Sequence, residues 1–458
     1  MLFRQWNLKG RALQYVALCS GACVILSDGL QLGWPAPYLP LLLSGQSAFR
    51  ITDEDGSWIA ISNMIGGFLG AVVSWLTLDV CGRKPLVVFT CIPHVVSLLM
   101  LAYAGSTWQL CVARVIGGVS GGIGFCTVPL YLSEIADANV RGFFVSSLDL
   151  IHKLGILVVS IAGTHISMAT FSFVALSIPA FVFLTFLWMP ETPHYYALKG
   201  EWESSRRSLE KISGKTDVED RLCHISATVA EFHQSKGTFV EFLTNRVSRR
   251  GIYALLVLRG VQQFSGIIAI TFYLPVILES AKDFVSPNAS TAVYYSLQIL
   301  TTCATTVAID HLGRKPLLLI SVTVTSVALC IVGVYFSVAH WTNINLDGCS
   351  WIPLLGLFLF IAGYSSGLNC IPVLLVGELF PIGVKVLAAT VFDMYFCIMS
   401  SLASKFFQYT KDAFGMYVPF LTFAACCICS LPVIMHLVSE TKNKTLEEIQ
   451  TESKSMKS

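Results

Sequence analysis

Runs of apolar residues long enough to cross a bilayer recur through almost the whole chain, and no other feature restricts its folding as tightly. A spanning helix needs roughly 20 such residues. Twelve segments meet or approach that length: 13–32, 58–78, 86–105, 110–131, 143–166, 171–189, 252–278, 293–309, 317–339, 352–377, 386–407 and 417–437. Within lipid the backbone has no water to bond to, so each segment is expected as a helix that satisfies its own amides. Charged residues amount to 13% of the chain, against about a quarter in soluble domains. That excludes a water-soluble enzyme. The 54% apolar content excludes a disordered or collagen-like chain. A net charge of +2 gives no reason to expect nucleic acid as a partner.

One long polar stretch, 194–251, divides the spans into two groups of six and carries mixed charge with helical character. The expected fold is an all-α membrane protein with twelve transmembrane helices in two six-helix bundles. The expected boundaries are 1–193 for the first bundle, 194–251 for a linker with short helices, 252–438 for the second bundle and 439–458 for a tail. Basic residues near span ends orient such a chain. If both termini and the linker share one side, that side holds all but seven of the 30 Lys and Arg. Of the seven, Arg50, Lys282, Lys405 and Lys411 go to the opposite side, and Arg114, Lys153 and Arg259 lie in or beside spans. Both termini are therefore expected in the cytosol. Residues 2–11 are polar and basic and lead into a full-length span, so no cleavable signal is expected. Small residues such as Gly66, Gly67, Gly70, Gly117, Gly118, Gly121 and Gly122 suit close helix packing.

The two halves repeat one another. Asp79-Val-Cys-Gly-Arg-Lys-Pro follows the second span, and Asp310-His-Leu-Gly-Arg-Lys-Pro follows the eighth. Glu134 and Arg141 follow the fourth span as Glu378 and Lys385 follow the tenth. Glu191 in Pro-Glu-Thr closes the first half, and Glu440 in Ser-Glu-Thr closes the second. Three pairs in one order indicate a parallel repeat, an arrangement that places a solute at the midplane between the halves. Arg83, Lys84, Arg314 and Lys315 then stand beside helix ends carrying acids, and helix C-termini attract cations. These charges are expected to form a cytoplasmic gate, with ion pairs across the halves holding that side shut.

At these motifs the chain resembles the major facilitator superfamily. Arg114-Val-Ile-Gly-Gly, Pro129-Leu-Tyr-Leu-Ser-Glu134, Pro190-Glu-Thr-Pro, Gln262-Gln-Phe-Ser-Gly266 and Glu440-Thr-Lys resemble its sugar-porter branch. Gly33-Trp-Pro-Ala-Pro37 and Asp55-Gly-Ser-Trp58 are similar to insect facilitated trehalose transporter-like proteins. The resemblance implies a plasma-membrane, multi-pass protein that moves a sugar, a hexose or a disaccharide such as trehalose, by facilitative uniport. Its partners would be that sugar and the lipid bilayer. It further implies sugar contact by Gln262 and Gln263 in the seventh span and Gln298 in the eighth. Amides suit hydroxyls because they offer donors and an acceptor together. The chain departs from the pattern at Ile268, Val373 and Phe396, which replace polar or stacking residues, and at Lys153, which replaces an amide.

Two readings stay open for Lys153: a buried pair with Asp149 one turn earlier, or a cavity group that recruits an anionic or carbonyl-bearing solute. Gln31, a candidate substrate contact, stands where proton-coupled relatives carry an acid, which favours uniport, while Asp28, one turn earlier, is a possible proton site. Asn288-Ala-Ser290 is a glycosylation sequon expected on the lumenal side. His94, His152, His165 and His340 have no ligand spacing, and the fifteen Cys form no CxxC pair, so neither a metal site nor a cofactor is expected. The alternatives to a uniporter are a proton-coupled symporter and a non-transporting sugar sensor or scaffold. The altered positions favour the sensor, and the duplicated gate favours transport.

Overall fold

Local signals at the segment ends set the helices. In the computed structural model, residues 8–44, 51–214, 218–235, 246–281, 284–342, 347–380, 382–438 and 440 are described. Among them there is no strand. The first half comprises α1 (Leu8–Gly33), α2 (Pro35–Leu43), α3 (Asp53–Cys81), α4 (Arg83–Ala102), α5 (Thr107–Ile135), α6 (Ala138–Ala162), α7 (Met168–Ala175) and α8 (Ser177–Trp188). The connecting stretch forms α9 (Pro193–Leu198), α10 (Trp202–Ser213) and α11 (Glu219–Ser235). The second half comprises α12 (Arg246–Phe264), α13 (Ile267–Leu278), α14 (Pro287–Leu312), α15 (Arg314–Trp341), α16 (Trp351–Ser365), α17 (Ile371–Leu379), α18 (Ile382–Phe414) and α19 (Tyr417–Leu437). Thr52 and Asp55 form a reciprocal capping box that starts α3. Ser106 and Ser286 cap α5 and α14 in the same way as simple N-caps.

Among the described residues, eleven helical segments are long and apolar enough to cross a membrane, and α16 is a shorter apolar helix. The chain is thus a multi-pass membrane protein. Three expected spans are broken within their length. The sixth is split at Leu176, between α7 and α8. The seventh is split between α12 and α13, where Gly266 takes φ +84°. The tenth is split between α16 and α17. The first continues through Trp34 into the proline-started α2. The second half begins its helix at Arg246, earlier than the expected 252.

Glycine permits the closest crossings. A Cβ on Gly66 would meet Val115 O and the Cα of Gly118, and one on Gly70 would meet Val119 O and the Cα of Gly122. The α3–α5 seam therefore excludes any larger residue at these positions. A large apolar core joins both halves at the side remote from α9–α11, through residues such as Trp34, Tyr38, Leu39, Phe272 and Ile277. There α2 lies against α13. On the linker side a separate core, from Ala17 to Phe186 with Ile212, belongs to the first half and the linker helices.

Candidate ligand site and gate

The duplicated loops fold into duplicate structures. Gly82 and Gly313 turn the chain at φ +95° and +87°, a region glycine enters without steric cost. Arg83, 4% exposed, lies 3.2 Å from Glu134 and 3.7 Å from Asp79. Arg314 donates to Glu378 through Nε and Nη2 at 3.2 and 3.0 Å. The Glu191 carboxylate accepts from the Lys84 amide at 3.0 Å and the Thr192 amide at 2.8 Å. The Glu440 carboxylate accepts from the amides of Arg314 and Lys315, each at 3.0 Å. These two acids cap the N-termini of α4 and α15, which have no capping side chain of their own. Lys84 Nζ donates to Leu187 O at 3.1 Å, and Lys315 Nζ to Met435 O at 2.7 Å. Burial pushes the Glu191 carboxyl above its usual range, against those amides and Arg83. Burial holds His194 below its usual range, opposed by Glu134 and reinforced by Arg141, Arg83 and Arg221.

Every ion pair and cap just described stays inside its own half. The pairing expected across the halves is not among these contacts of the described residues. Each motif instead locks four helix ends of one bundle together. Arg141 and Lys385 are exposed at the starts of α6 and α18. The side chain of Asp310 lies outside the described residues.

The polar residues of the spans bond to neighbours in their own bundle, and Asn369 bonds across to Asp149 at 3.2 Å. Gln262 Nε2 donates to the carbonyls of Leu368 and Asn369, both at 3.0 Å, at the break between α16 and α17. Gln263 is fully buried; its Oε1 accepts from Ser400 Oγ at 2.9 Å, and its Nε2 has no partner among the described residues. Gln298 is buried with Oε1 likewise unpartnered. Gln31 Nε2 donates to Ser97 Oγ at 3.2 Å, and its Oε1 is unpartnered. Ile268 is buried. Phe396 lies under the Arg259 guanidinium, 5.5 Å from it. Val373 is 53% exposed and so is not a wall of the packed interior.

Lys153 is buried and held by Asp149, so the structure favours the paired reading over an anion-recruiting lysine. Asp28 Oδ2 lies 3.1 Å from His152 Nε2, within ion-pair distance though not aligned as a hydrogen bond. Asn288 is exposed in the first turn of α14, on the side remote from the linker, and Ser290 is buried. Sequence reading passed over three participants. His152 adjoins Lys153 and follows Asp28 by no recognisable spacing. Arg259 precedes Gln262 by one turn, and its charge inside a span was the available signal. Asn369 had none, because its role depends on the break that presents it.

The model of the family described as Sugar (and other) transporter matches residues 40–452. The chain belongs to that family. A facilitated trehalose transporter of Polypedilum vanderplanki is 30% identical over 439 residues, covering 94% of this chain and 86% of that one. One from Culex quinquefasciatus is 29% identical over 449 residues, with 95% and 86% covered. Among solved structures, a partially occluded inward-open form of the E. coli xylose transporter XylE superposes with TM-score 0.77 at 18% identity, covering 95% of this chain and all of that one. The same protein bound to 6-bromo-6-deoxy-D-glucose gives 0.74 at 19% identity, covering 96% of this chain and 99% of that one. The fold is thus that of the sugar transporter family, and the chain is a membrane transporter and not an enzyme.

Proposed function

We propose that this member of the sugar transporter family is a facilitative uniporter of a neutral sugar, a hexose or a disaccharide such as trehalose. It works by alternating access between the two bundles, in the plasma membrane, with both termini in the cytosol. The observation that carries this reading is the set of buried amides in the spans, Gln31, Gln262, Gln263 and Gln298. Gln263 Nε2, a donor, and Gln298 Oε1, an acceptor, both lack a partner among the described residues. A buried polar group left unpaired costs about 1–3 kcal/mol, so these atoms are complementary to a ligand that brings hydroxyls. The names of the trehalose-transporting relatives agree with that ligand class. Uniport is supported by Gln31, neutral and bonded to Ser97, where proton-coupled relatives carry an acid.

Uptake of labelled trehalose and glucose into proteoliposomes tests this. Flux down the sugar gradient that ignores an imposed proton gradient is expected. No flux of any sugar would favour the sensor reading. One observation supports a second mechanism: Asp28 and His152 form a titratable pair 3.1 Å apart inside the first bundle. Accumulation above equilibrium that collapses in Asp28→Asn would replace uniport by proton-coupled symport.

A further inference from the structure

Two buried cations are each paired with a carboxylate, and one of these carboxylates, Asp149, also contacts the opposite bundle. The Lys153 side chain is 3% exposed and that of Asp149 43%. The Arg259 side chain is 6% exposed and that of Asp393 32%. One pair belongs to each half, and a chain of hydrogen bonds connects them. Arg259 Nη2 donates to Asp393 Oδ1 at 3.2 Å, and Arg259 Nη1 to Gln262 Oε1 at 3.1 Å. Gln262 Nε2 donates to the Asn369 carbonyl at 3.0 Å. Asn369 Nδ2 donates to Asp149 Oδ2 at 3.2 Å, and this last bond crosses between the bundles. Beside these bonds, Arg259 Nε and Nε2 of Gln263 are buried and have no partner among the described residues.

We propose that Asp149 and Asp393 form a charged wall of the ligand site, which accepts adjacent hydroxyls of a neutral polyol and excludes sugar acids. The proposal rests on the sugar-transport reading above. A carboxylate offers two oxygens with about four acceptor positions, enough for two neighbouring hydroxyls at once. Lys153 and Arg259 orient these carboxylates from behind. Because both cations are buried, an anionic ligand meets acids first and is repelled. The wall replaces acceptors that Ile268 and Phe396 cannot provide. A ligand that takes Asp149 also displaces the Asn369 amide, so occupancy loosens a bond that joins the bundles.

Calorimetric binding of glucose, trehalose and glucuronate to the purified full chain tests the proposal. At least one neutral sugar is expected to bind, with glucuronate at least about a hundredfold weaker. Asp149→Asn combined with Lys153→Met leaves no unpaired lysine and keeps the site neutral. It is expected to lose at least about tenfold in sugar affinity, the value of one hydrogen bond to a charged group. Its melting temperature checks that it folds. Asn369→Ala removes the competing amide and leaves the carboxylate, so its sugar affinity is expected to rise several-fold, a sign that a structural lesion would not give. Glucuronate binding as tight as the neutral sugars, or unchanged affinity in both variants, overturns the wall while leaving sugar transport intact. A wild-type chain that binds no sugar overturns transport of these sugars and the wall together.

Discussion

At the scale of single residues, the sequence displays the gate residues but not their pairing. Arg83, Glu134, Arg314 and Glu378 stand out because acid and base recur in both halves. The direction of pairing depends on how Gly82 and Gly313 turn the following helix, and only the folded chain reveals it. Each arginine reaches back to an acid of its own bundle, and Glu191 and Glu440, expected as ionic partners, spend their oxygens on backbone amides. Breaking a buried pair costs about 3–5 kcal/mol because one charge is left uncompensated. Arg83→Glu places a second acid beside Glu134 and is expected to lower the melting temperature clearly. Adding Glu134→Arg restores an opposite-charge pair in the same bundle and is expected to recover much of the loss. Melting of the detergent-purified variants checks this. A single reversal that melts like the wild type would leave these charges with a role in topology alone.

At the scale of elements, the spans were legible from apolar length, whereas the caps at Thr52, Ser106 and Ser286 show only in the folded chain. The breaks were less legible than the spans. Hydropathy is continuous through 252–278 and 352–377, and periodicity cannot signal a helix that stops and restarts within lipid. Gly266 was the available clue, since Ser-Gly after two glutamines is an odd choice for a span interior. The break has a function: it ends α12 just after Gln262 and Gln263, and its counterpart between α16 and α17 turns the Leu368 and Asn369 carbonyls toward Gln262. Non-helical backbone at this depth is tolerated only where it faces protein or a cavity. At φ +84° a side chain is strained, and a Cβ on Gly266 would also collide with the Phe423 ring. The left-handed conformation alone costs roughly 1–2 kcal/mol for an L-residue. Gly266→Ala is therefore expected to reduce folded yield and to weaken sugar binding by at least about tenfold. Binding measured on the folded fraction separates the two effects. Unimpaired binding would show that the break does not position the glutamines.

At the scale of the whole molecule, two bundles related by a parallel repeat were readable from the duplicated loops, and which face is shut was not. A repeat is symmetric with respect to both faces, whereas a conformation selects one. On the side remote from the linker, α2 and α13 share one apolar core. A polar clasp lies beside that core: Lys405 Nζ donates to Ser57 Oγ at 2.6 Å and sits 3.9 Å over the Trp58 ring. Lys405 belongs to α18 and the other two to α3, so both contacts cross between the bundles. A hydrogen bond to a charged group contributes about 1.5–3 kcal/mol and a cation–π contact about 0.5–2 kcal/mol. At 1.4 kcal/mol per decade, losing the clasp moves the equilibrium toward opening on this side by roughly one to four decades. The apolar seam resists, so the lower end is expected. Lys405→Gln is predicted to raise the rate at which a membrane-impermeant thiol reagent, added from that side, labels Ile277→Cys in a background lacking other reactive cysteines. Ile277 is fully buried in the seam, so labelling there requires the bundles to part. A tenfold acceleration would make Lys405 the element that biases alternating access. An unchanged rate would mean that apolar packing closes this face without it.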